Sequence, residues 1–450
     1  MDRLFRMDIK QLYQLYQQHP CITTDSRDCP QGSIFLALKG GSFDGNKFAA
    51  QALEKGCAYA IVDDKDVAVD SRYILVDDCL QTYKDLAREH RRQFNIPVIA
   101  ITGTNGKTTT KELVRAVLAE KYNVLATEGN FNNDVGVPKT LFRLAPEHEI
   151  AIVEMGASHP GDIKTLAETA EPTCGLITNV GRAHLQGFGS FGGVVKTKCE
   201  LYDYLRTRGD GLVFLNADDD VLCNQLGDDD SLWVTPYSVD PEKQYECISG
   251  EVIEPAPYLK LRWRRPLMEI EETGASAKWH KVQTQLVGAY NIFNVMAAIA
   301  VGINFGVDRK CICHALETYV PTNNRSQLMQ TRHNTLVVDA YNANPSSMAA
   351  ALQNFSLMPA EHKMVILGDM RELGAASEEE HRAVGRMLDS MSLGDVWLVG
   401  PEFAKVEGPF RHFADVEEVK QTIAEEQPED RTILIKGSNS TRLYELPPLL

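Results

Sequence analysis

The chain has 450 residues, 44% of them hydrophobic and 24% charged, with a formal net charge of −16. That length exceeds one core and predicts about three domains, and the acidic balance argues against non-specific binding to nucleic acid or acidic membranes. No apolar run approaches the ~20 residues that span a bilayer, and the opening MDRLFRMDIKQLYQLYQQ intersperses charges where a secretory signal needs an apolar stretch. The ten cysteines lie scattered, mostly in apolar segments such as CGLITNV and KGCAYAIV, so they read as small core residues of a reducing cytosol. Cys311 and Cys313 form a C-x-C without the second pair or His cluster that a metal centre needs. A cytoplasmic protein is expected, monomeric, with no nucleic-acid partner and no membrane insertion.

In chain order, the first ~95 residues read as a small α/β module. GSIFLALKG and AYAIVDD are compact apolar runs, followed by the charged helical stretch LQTYKDLAREHRRQF. Pro97 opens the strand PVIAITG, and EIAIVEMG, CGLITNVG and DGLVFLNADD follow it, alternating with helical stretches. That alternation predicts a parallel, doubly wound sheet up to about residue 317. Within it, residues 245–287 change character: YLKLRWRR and VQTQLVG predict antiparallel strands at the sheet edge, before NIFNVMAAIAVGINFG restores a helical period. From about residue 318, TLVVDAYNANP, KMVILGDM, DVWLVG and RTILIKGS predict a further nucleotide-fold-like sheet, with ligands at the strand carboxyl ends. Two α/β bodies joined near residue 317 would leave a cleft able to close.

The stretch AITGTNGKTTT, residues 100–110, looks like a phosphate-binding loop with a glycine missing. The usual G-x-x-x-x-G-K-[ST] would put its first glycine where Ile101 stands, and the nearest one is Gly103. The stretch follows a strand and precedes a helix, the context that separates such loops from chance matches. N–H groups at the helix start and the helix dipole favour phosphate. Lys107 supplies a cation for the β- and γ-phosphates, and the Thr108 hydroxyl a ligand for Mg²⁺. The bland alternative is a glycine turn capping an ordinary helix. Glu154, at the tip of EIAIVEMG, is either a Mg²⁺ ligand or a solvated strand-end residue. His184, in TNVGRAHLQGFGS, is either a ligand or a structural histidine.

Taken in order, GTNGKTTT, EMGASHPGDI, TNVGRAHLQGFGS and KTKCE resemble the central domain of the Mur ligases of peptidoglycan synthesis, a family that carries the shortened loop. TDSRDCPQGSIFLALKGGSFDGNKF resembles the family's N-terminal domain, and EGNFNNDVGVPKTL, GAYNIFNVMAAIA and NNRSQ match further blocks. DAYNANPSSM, LGDMRELG and KGSNS resemble the branch that accepts D-alanyl-D-alanine. The resemblance implies three domains: residues 1–95, a small α/β module binding the UDP substrate; residues 96–317, a central parallel-sheet P-loop ATPase domain; and residues 318–450, a Rossmann-like domain binding D-Ala-D-Ala. It implies an ADP-forming ligase that joins D-Ala-D-Ala to UDP-N-acetylmuramoyl-tripeptide through an acyl phosphate, using ATP and two Mg²⁺ ions.

Carried over position by position, the resemblance implies that Gly103, Thr104, Asn105, Gly106, Lys107, Thr108 and Thr109 hold the ATP phosphates. Asn291, Arg325 and Asp339 would contact base, phosphate and ribose. Lys107, Glu154, His184 and Lys198 would be catalytic, with Thr108, Glu154, His184 and Lys198 holding metal. Lys198 matches a lysine that family members carbamylate; the alternatives are a helix-surface lysine, or confusion with Lys196. Ser26, Arg27, Asp44 and Gly45 match the UDP blocks, Asn132 and Asn133 the muramoyl-peptide block, and Asn342 and Asn344 offer neutral groups for the dipeptide. Gln186 stands where a Glu is commoner. Rival readings are the third-residue ligase of the same family, a folylpolyglutamate synthase, and a nucleotide-binding module using ATP as a switch.

Overall fold

Short β-branched runs between turn residues form most strands, and polar side chains cap several of the helices. The computed structural model describes residues 7–227, 230–274, 278–321, 325, 327–391 and 393–450. Residues 1–6 of the opening stretch, and all of the NNRSQ block except Arg325 and Gln327, lie outside the described residues. In chain order the strands are β1 (Ile22–Thr23), β2 (Ile34–Leu36), β3 (Tyr59–Val62), β4 (Tyr73–Leu75), β5 (Val98–Thr102), β6 (Val124–Ala126), β7 (Ile150–Glu154), β8 (Cys174–Ile177), β9 (Leu212–Asn216) and β10 (Trp233–Ser238). They continue as β11 (Ile248–Glu254), β12 (Lys260–Arg264), β13 (His280–Gln283), β14 (Gln327–Gln330), β15 (Thr335–Asp339), β16 (Lys363–Gly368), β17 (Asp395–Val399), β18 (Arg411–Phe413) and β19 (Thr432–Lys436). The chain divides into two compact units: one of Met1–Ile99, Leu125–Met155 and Lys164–Pro172, the other of Ala100–Val124, Gly156–Ile163 and Thr173–Leu450.

In the first unit, Asp8 and Gln11 form a capping box that starts the helix Ile9–Gln18, an element absent from the sequence reading. Strands β1 to β4 form a parallel sheet in that order. Asp78 caps the helix Cys79–Arg91 by accepting from Gln81 N–H. Between these helices and the later segment of the unit, Phe142 packs its ring 5.0 Å from Tyr16 and 5.5 Å from Tyr83. His90 joins the cluster, bonded to Tyr13 Oη and to the Leu144 carbonyl, each at 3.1 Å. Burial pushes its pKa down, so a neutral imidazole fits between them. β6 and β7 are tied by the Thr127 N–H donating to the Ile152 carbonyl at 3.0 Å.

The second unit holds two further sheets. In one, β8, β9, β10 and β11 pair in parallel, while β12 and β13 close the edge antiparallel. The two stretches expected to be antiparallel hold β12 and the end of β13, while β11, not read in the sequence, pairs antiparallel with β12 and parallel with β10. The helix Ile292–Asn304 is buried over ten of its residues and packs on the helix Lys107–Ala119 that follows the phosphate loop. Gly302 permits that approach, since a Cβ there would come 2.5 Å from Val117 Cγ1.

The last sheet runs β14-β15-β19-β16-β17-β18, parallel apart from edge strand β14. The four apolar runs read in the sequence are β15, β16, β17 and β19; β14 and β18 are short edges with weak patterns. Asp339 and Leu367 both lie in register with Lys436, so the segments after β15, β16 and β19 leave from one carboxyl edge. Asn334 anchors the opposite end. Its Nδ2 donates to the Pro428 carbonyl at 2.7 Å and the Leu450 main-chain oxygen at 2.6 Å, and its Oδ1 accepts from Arg431 N–H at 3.0 Å. Replacing this buried residue in Asn334→Ala should cost about 2–3 kcal/mol, because it strands buried main-chain groups; an unchanged urea or thermal transition would show that the anchor does not matter.

Candidate functional site

Strand β5 delivers the phosphate loop at its carboxyl end. Gly103 has φ 140, and a Cβ there would lie 2.0 Å from Thr178 Oγ1; Gly106 has φ 80, and a Cβ there would lie 2.5 Å from Asn294 Oδ1. Both positions thus demand glycine on backbone and space alike, and Ile101 is free to be a buried strand residue. The loop is braced from the end of β8. Thr178 Oγ1 and Asn179 Nδ2 donate to the Asn105 carbonyl at 2.6 and 3.0 Å, and Asn179 Oδ1 and its carbonyl accept from Asn105 and Thr104 N–H, each at 3.0 Å. The first bond within the following helix is Thr110 N–H to Gly106 C=O, so the N–H groups ahead of it face out of the helix end. Lys107 curls back, its Nζ donating to the carbonyls of Gly103 and Thr104 at 2.9 and 3.1 Å. Thr108 is buried and Thr109 half-buried at this helix start.

Lys198 lies on the helix Phe191–Arg206 and is 2% exposed, whereas Lys196 is exposed. A helix turns about 200° over two residues, and Lys198 falls on the apolar stripe of Val194, Val195, Leu201, Tyr202 and Leu205. That stripe was visible in the sequence and separates the two lysines; the surface alternative is wrong for Lys198. Burial, and then the nearby Lys107 charge, pull its pKa well below the ordinary 10.5. His184 sits in left-handed backbone, φ 51. Burial lowers its pKa; Glu372 opposes that, while Lys107 and Lys198 add to it. The Phe188 ring packs against both groups, 6.2 Å from the His184 ring and 5.6 Å from Lys198 Nζ. His184 Nδ1 meets the carboxylate of Glu372, from the loop after β16.

In the first unit Glu154 is 1% exposed, which removes the solvated strand-end alternative. Its Oε1 accepts from Asn132 Nδ2 at 2.8 Å, and its N–H donates to Thr127 Oγ1 at 3.0 Å. Asn133 Oδ1 holds the start of the next helix through Gly136 N–H at 2.8 Å. Among the residues matched to UDP, Arg27 pairs with Asp25, whose carboxyl it holds down to about 2. The Ser26 carbonyl accepts from Lys55 Nζ at 2.8 Å. Asp44 caps the turn over Gly45, where a Cβ would come 2.5 Å from the Leu38 carbonyl oxygen. Asn46, which the sequence reading passed over, bridges Asp44 and Asp63.

The remaining predicted residues return to the second unit. Asn291 donates from Nδ2 to the Val287 carbonyl and accepts from Asn294 Nδ2, both at 2.8 Å, and Asn294 Oδ1 accepts from Thr110 Oγ1 at 3.0 Å. Asn294 was missed, although its i+3 spacing from Asn291 on a buried helix is a readable signal. The Arg325 guanidinium lies 4.0 Å from the Tyr341 ring centre, and Asp339 Oδ2 accepts from the buried Lys436 Nζ at 2.6 Å. Asn342 is exposed. Asn344 is not: its Oδ1 caps the helix Pro345–Leu357 through Ser347 N–H at 2.9 Å, and its Nδ2 donates to Asn105 Oδ1 at 2.7 Å.

The buried amine has a consequence for stability. Lys198 has a folded-state pKa below its unfolded value of 10.5, so between the two the unfolded chain binds the extra proton and stability rises with pH. The penalty is full below the folded value and gone above 10.5. Lys198→Met, measured in carbon-dioxide-free buffer, should therefore melt above the parent at pH ~7, with the gain shrinking as pH rises. A gain that stays constant or grows with pH would contradict a depressed amine.

Comparison with known proteins agrees across all three sheets. The family model described as "Mur ligase family, catalytic domain" matches residues 20–91, "Mur ligase middle domain" residues 101–302, and "Mur ligase, glutamate ligase domain" residues 324–439. The UDP-N-acetylmuramoyl-tripeptide–D-alanyl-D-alanine ligase of Escherichia coli K12 is 34% identical over 94% of this chain and 92% of its own length. Its Bacillus subtilis 168 counterpart is 33% identical over the same shares. A crystal structure of MurF from Acinetobacter baumannii superposes with a TM-score of 0.85 at 30% identity, covering 99% of this chain and 98% of its own. MurF ligase from Thermotoga maritima in complex with ADP gives 0.83 at 25% identity, covering 95% and 96%. With such identity along nearly its whole length, this chain belongs to the Mur ligase family.

Proposed function

We propose that this protein is an ATP-dependent, ADP-forming ligase that adds D-alanyl-D-alanine to UDP-N-acetylmuramoyl-tripeptide in the cytoplasmic steps of peptidoglycan synthesis. The observation that carries this reading is the braced phosphate loop with buried Lys198 and half-buried His184 in its field, bonded through Asn105 to Asn344 at the edge of the last sheet. Residues 1–95 bind the UDP end through Ser26, Arg27, Asp44 and Gly45, residues 96–317 bind ATP, and residues 318–450 bind the dipeptide. Asn132 and Asn133 are assigned to the muramoyl-peptide, and Asn291, Arg325 and Asp339 to the nucleotide. Of the two asparagines assigned to the dipeptide, Asn342 offers an exposed amide and Asn344 acts from its cap. The protein works as a monomer.

Forming an amide from a carboxylate needs a better leaving group than hydroxide. The tripeptide carboxylate takes the γ-phosphoryl of ATP, giving an acyl phosphate and ADP; the dipeptide amine then attacks the acyl carbon, and phosphate leaves. Lys107 sets a cation against charge that builds as the phosphoryl group moves, and the preorganised loop holds the phosphates without reorganising at the moment of reaction. Lys198 contributes a different property. A neutral amine is what carbon dioxide adds to, giving a carbamate and releasing a proton, and burial favours the neutral form. A hydroxyl, a carboxylate, a neutral imidazole and a carbamate are each donor types that a divalent cation takes. Thr108, Glu154, His184 and carbamylated Lys198 are thus the residues assigned to two Mg²⁺ ions, which when bound would neutralise phosphate charge.

ADP release, measured with UDP-N-acetylmuramoyl-tripeptide and with or without D-Ala-D-Ala, tests the reading; release indifferent to both would support a nucleotide switch instead. In the same assay Lys107→Ala should lose ~100-fold or more, on the order of 3 kcal/mol, while remaining folded. Lys198→Ala should be nearly inactive and partly restored by added short carboxylic acids that replace the carbamate, whereas Lys196→Ala should keep its rate. Full activity in Lys198→Ala would remove the carbamate from the mechanism.

A further inference from the structure

Two non-glycine residues in left-handed backbone face each other at the site: His184, φ 51, and Glu372, φ 63. Such conformations persist only where surrounding contacts over-determine them, and they cluster at functional sites. The contacts that hold Glu372 are visible. Just before it, buried Asp369 accepts from the N–H groups of Glu402 and Phe403 at 3.1 and 2.9 Å. Arg371 N–H donates to Ser438 Oγ, and its Nε to Ser440 Oγ, both at 3.1 Å. The loop after β16 is thereby pinned to the segment after β19, and the Glu372 side chain, 60% exposed, reaches His184.

The site around His184, Lys107 and Lys198 offers backbone donors and the Lys107 cation, which suits phosphate and repels ammonium. Three carboxylates act on it: Asp162 and Glu200 on Lys198, and Glu372 on His184. Asp162 Oδ2 already accepts from the N–H groups of Ser158 and His159 at 2.9 and 2.8 Å, and Glu200 Oε1 from Gly161 N–H at 2.8 Å. Among the described residues the Glu372 carboxylate has no such bond to the backbone; it meets the His184 imidazole. It also rises from the carboxyl edge of the sheet assigned to the acceptor, whose reacting end is an ammonium group in its zwitterionic form. We propose that Glu372 is the specificity-determining carboxylate that binds the acceptor's ammonium group, exchanging the imidazole for the substrate. This rests on the ligase reading above.

The test uses the full-length protein with ATP and UDP-N-acetylmuramoyl-tripeptide. Glu372→Gln keeps shape and removes charge, so KM for D-Ala-D-Ala should rise about 10- to 100-fold while KM for the other two substrates stays put. The decisive reading is the preference for an amine: KM for D-Ala-D-Ala against Ki for N-propionyl-D-alanine, which lacks only that amine. The parent should favour the amine-bearing ligand, and Glu372→Gln should lose the preference. Glu372→Gly, which relieves the left-handed backbone, should lose it too while melting no lower than the parent, and Glu372→Asp should recover part of it. A preference retained in both Glu372→Gln and Glu372→Gly, or equal losses of affinity for all three substrates, would overturn the assignment alone. A parent protein without dipeptide-dependent ADP release would overturn the ligase reading and this assignment with it.

Discussion

The phosphate loop is held from outside, and much of the second unit's chemistry depends on that hold. Residues 103–106 have no regular structure of their own to fix them. Their shape comes from the Asn105 carbonyl taking two donors from Thr178 and Asn179, from Asn179 accepting in return, and from glycines at which a Cβ would strike Thr178 or Asn294. A loop left to itself would have to organise around phosphate during the reaction; one fixed beforehand avoids that cost. The Asn105–Asn344 bond extends the same lattice to the edge of the last sheet.

An acidic chain that handles several anionic groups must concentrate positive character locally, and this one does so by burial. With a net charge of −16, long-range attraction works against ATP and the UDP substrate, so the site relies on short-range donors, a helix N-terminus and Lys107. The same crowding makes Lys198 and His184 poor holders of protons. Two basic side chains are kept toward forms able to react or to ligate, while Lys107 is turned onto loop carbonyls.

Strand content, the order of the three α/β bodies and the loop itself were legible because each is written locally: apolar runs closed by turn residues, and a glycine-lysine-threonine cluster between strand and helix. Strands β1, β4, β6, β10, β11, β14 and β18 and the opening helix escaped because their patterns are short, polar or interrupted. Lys198 could have been separated from Lys196 by the helical stripe alone. Asn294 could have been found from its spacing. Nothing local marks Glu372, whose side chain means something only where it meets His184.

By itself the sequence determined which residue types stand at the strand ends and which family pattern they follow, since backbone propensity and burial act over a few neighbouring residues. Tertiary structure decided what each polar group is left to do. Asn344, assigned to the dipeptide, has its amide shared between a helix cap and a residue 239 positions away. Asn291 is committed to Val287 and Asn294, and Glu154 is buried against Asn132. Each outcome depends on one short, directional bond to a partner brought close only by folding, and no periodicity in the chain encodes a partner that distant.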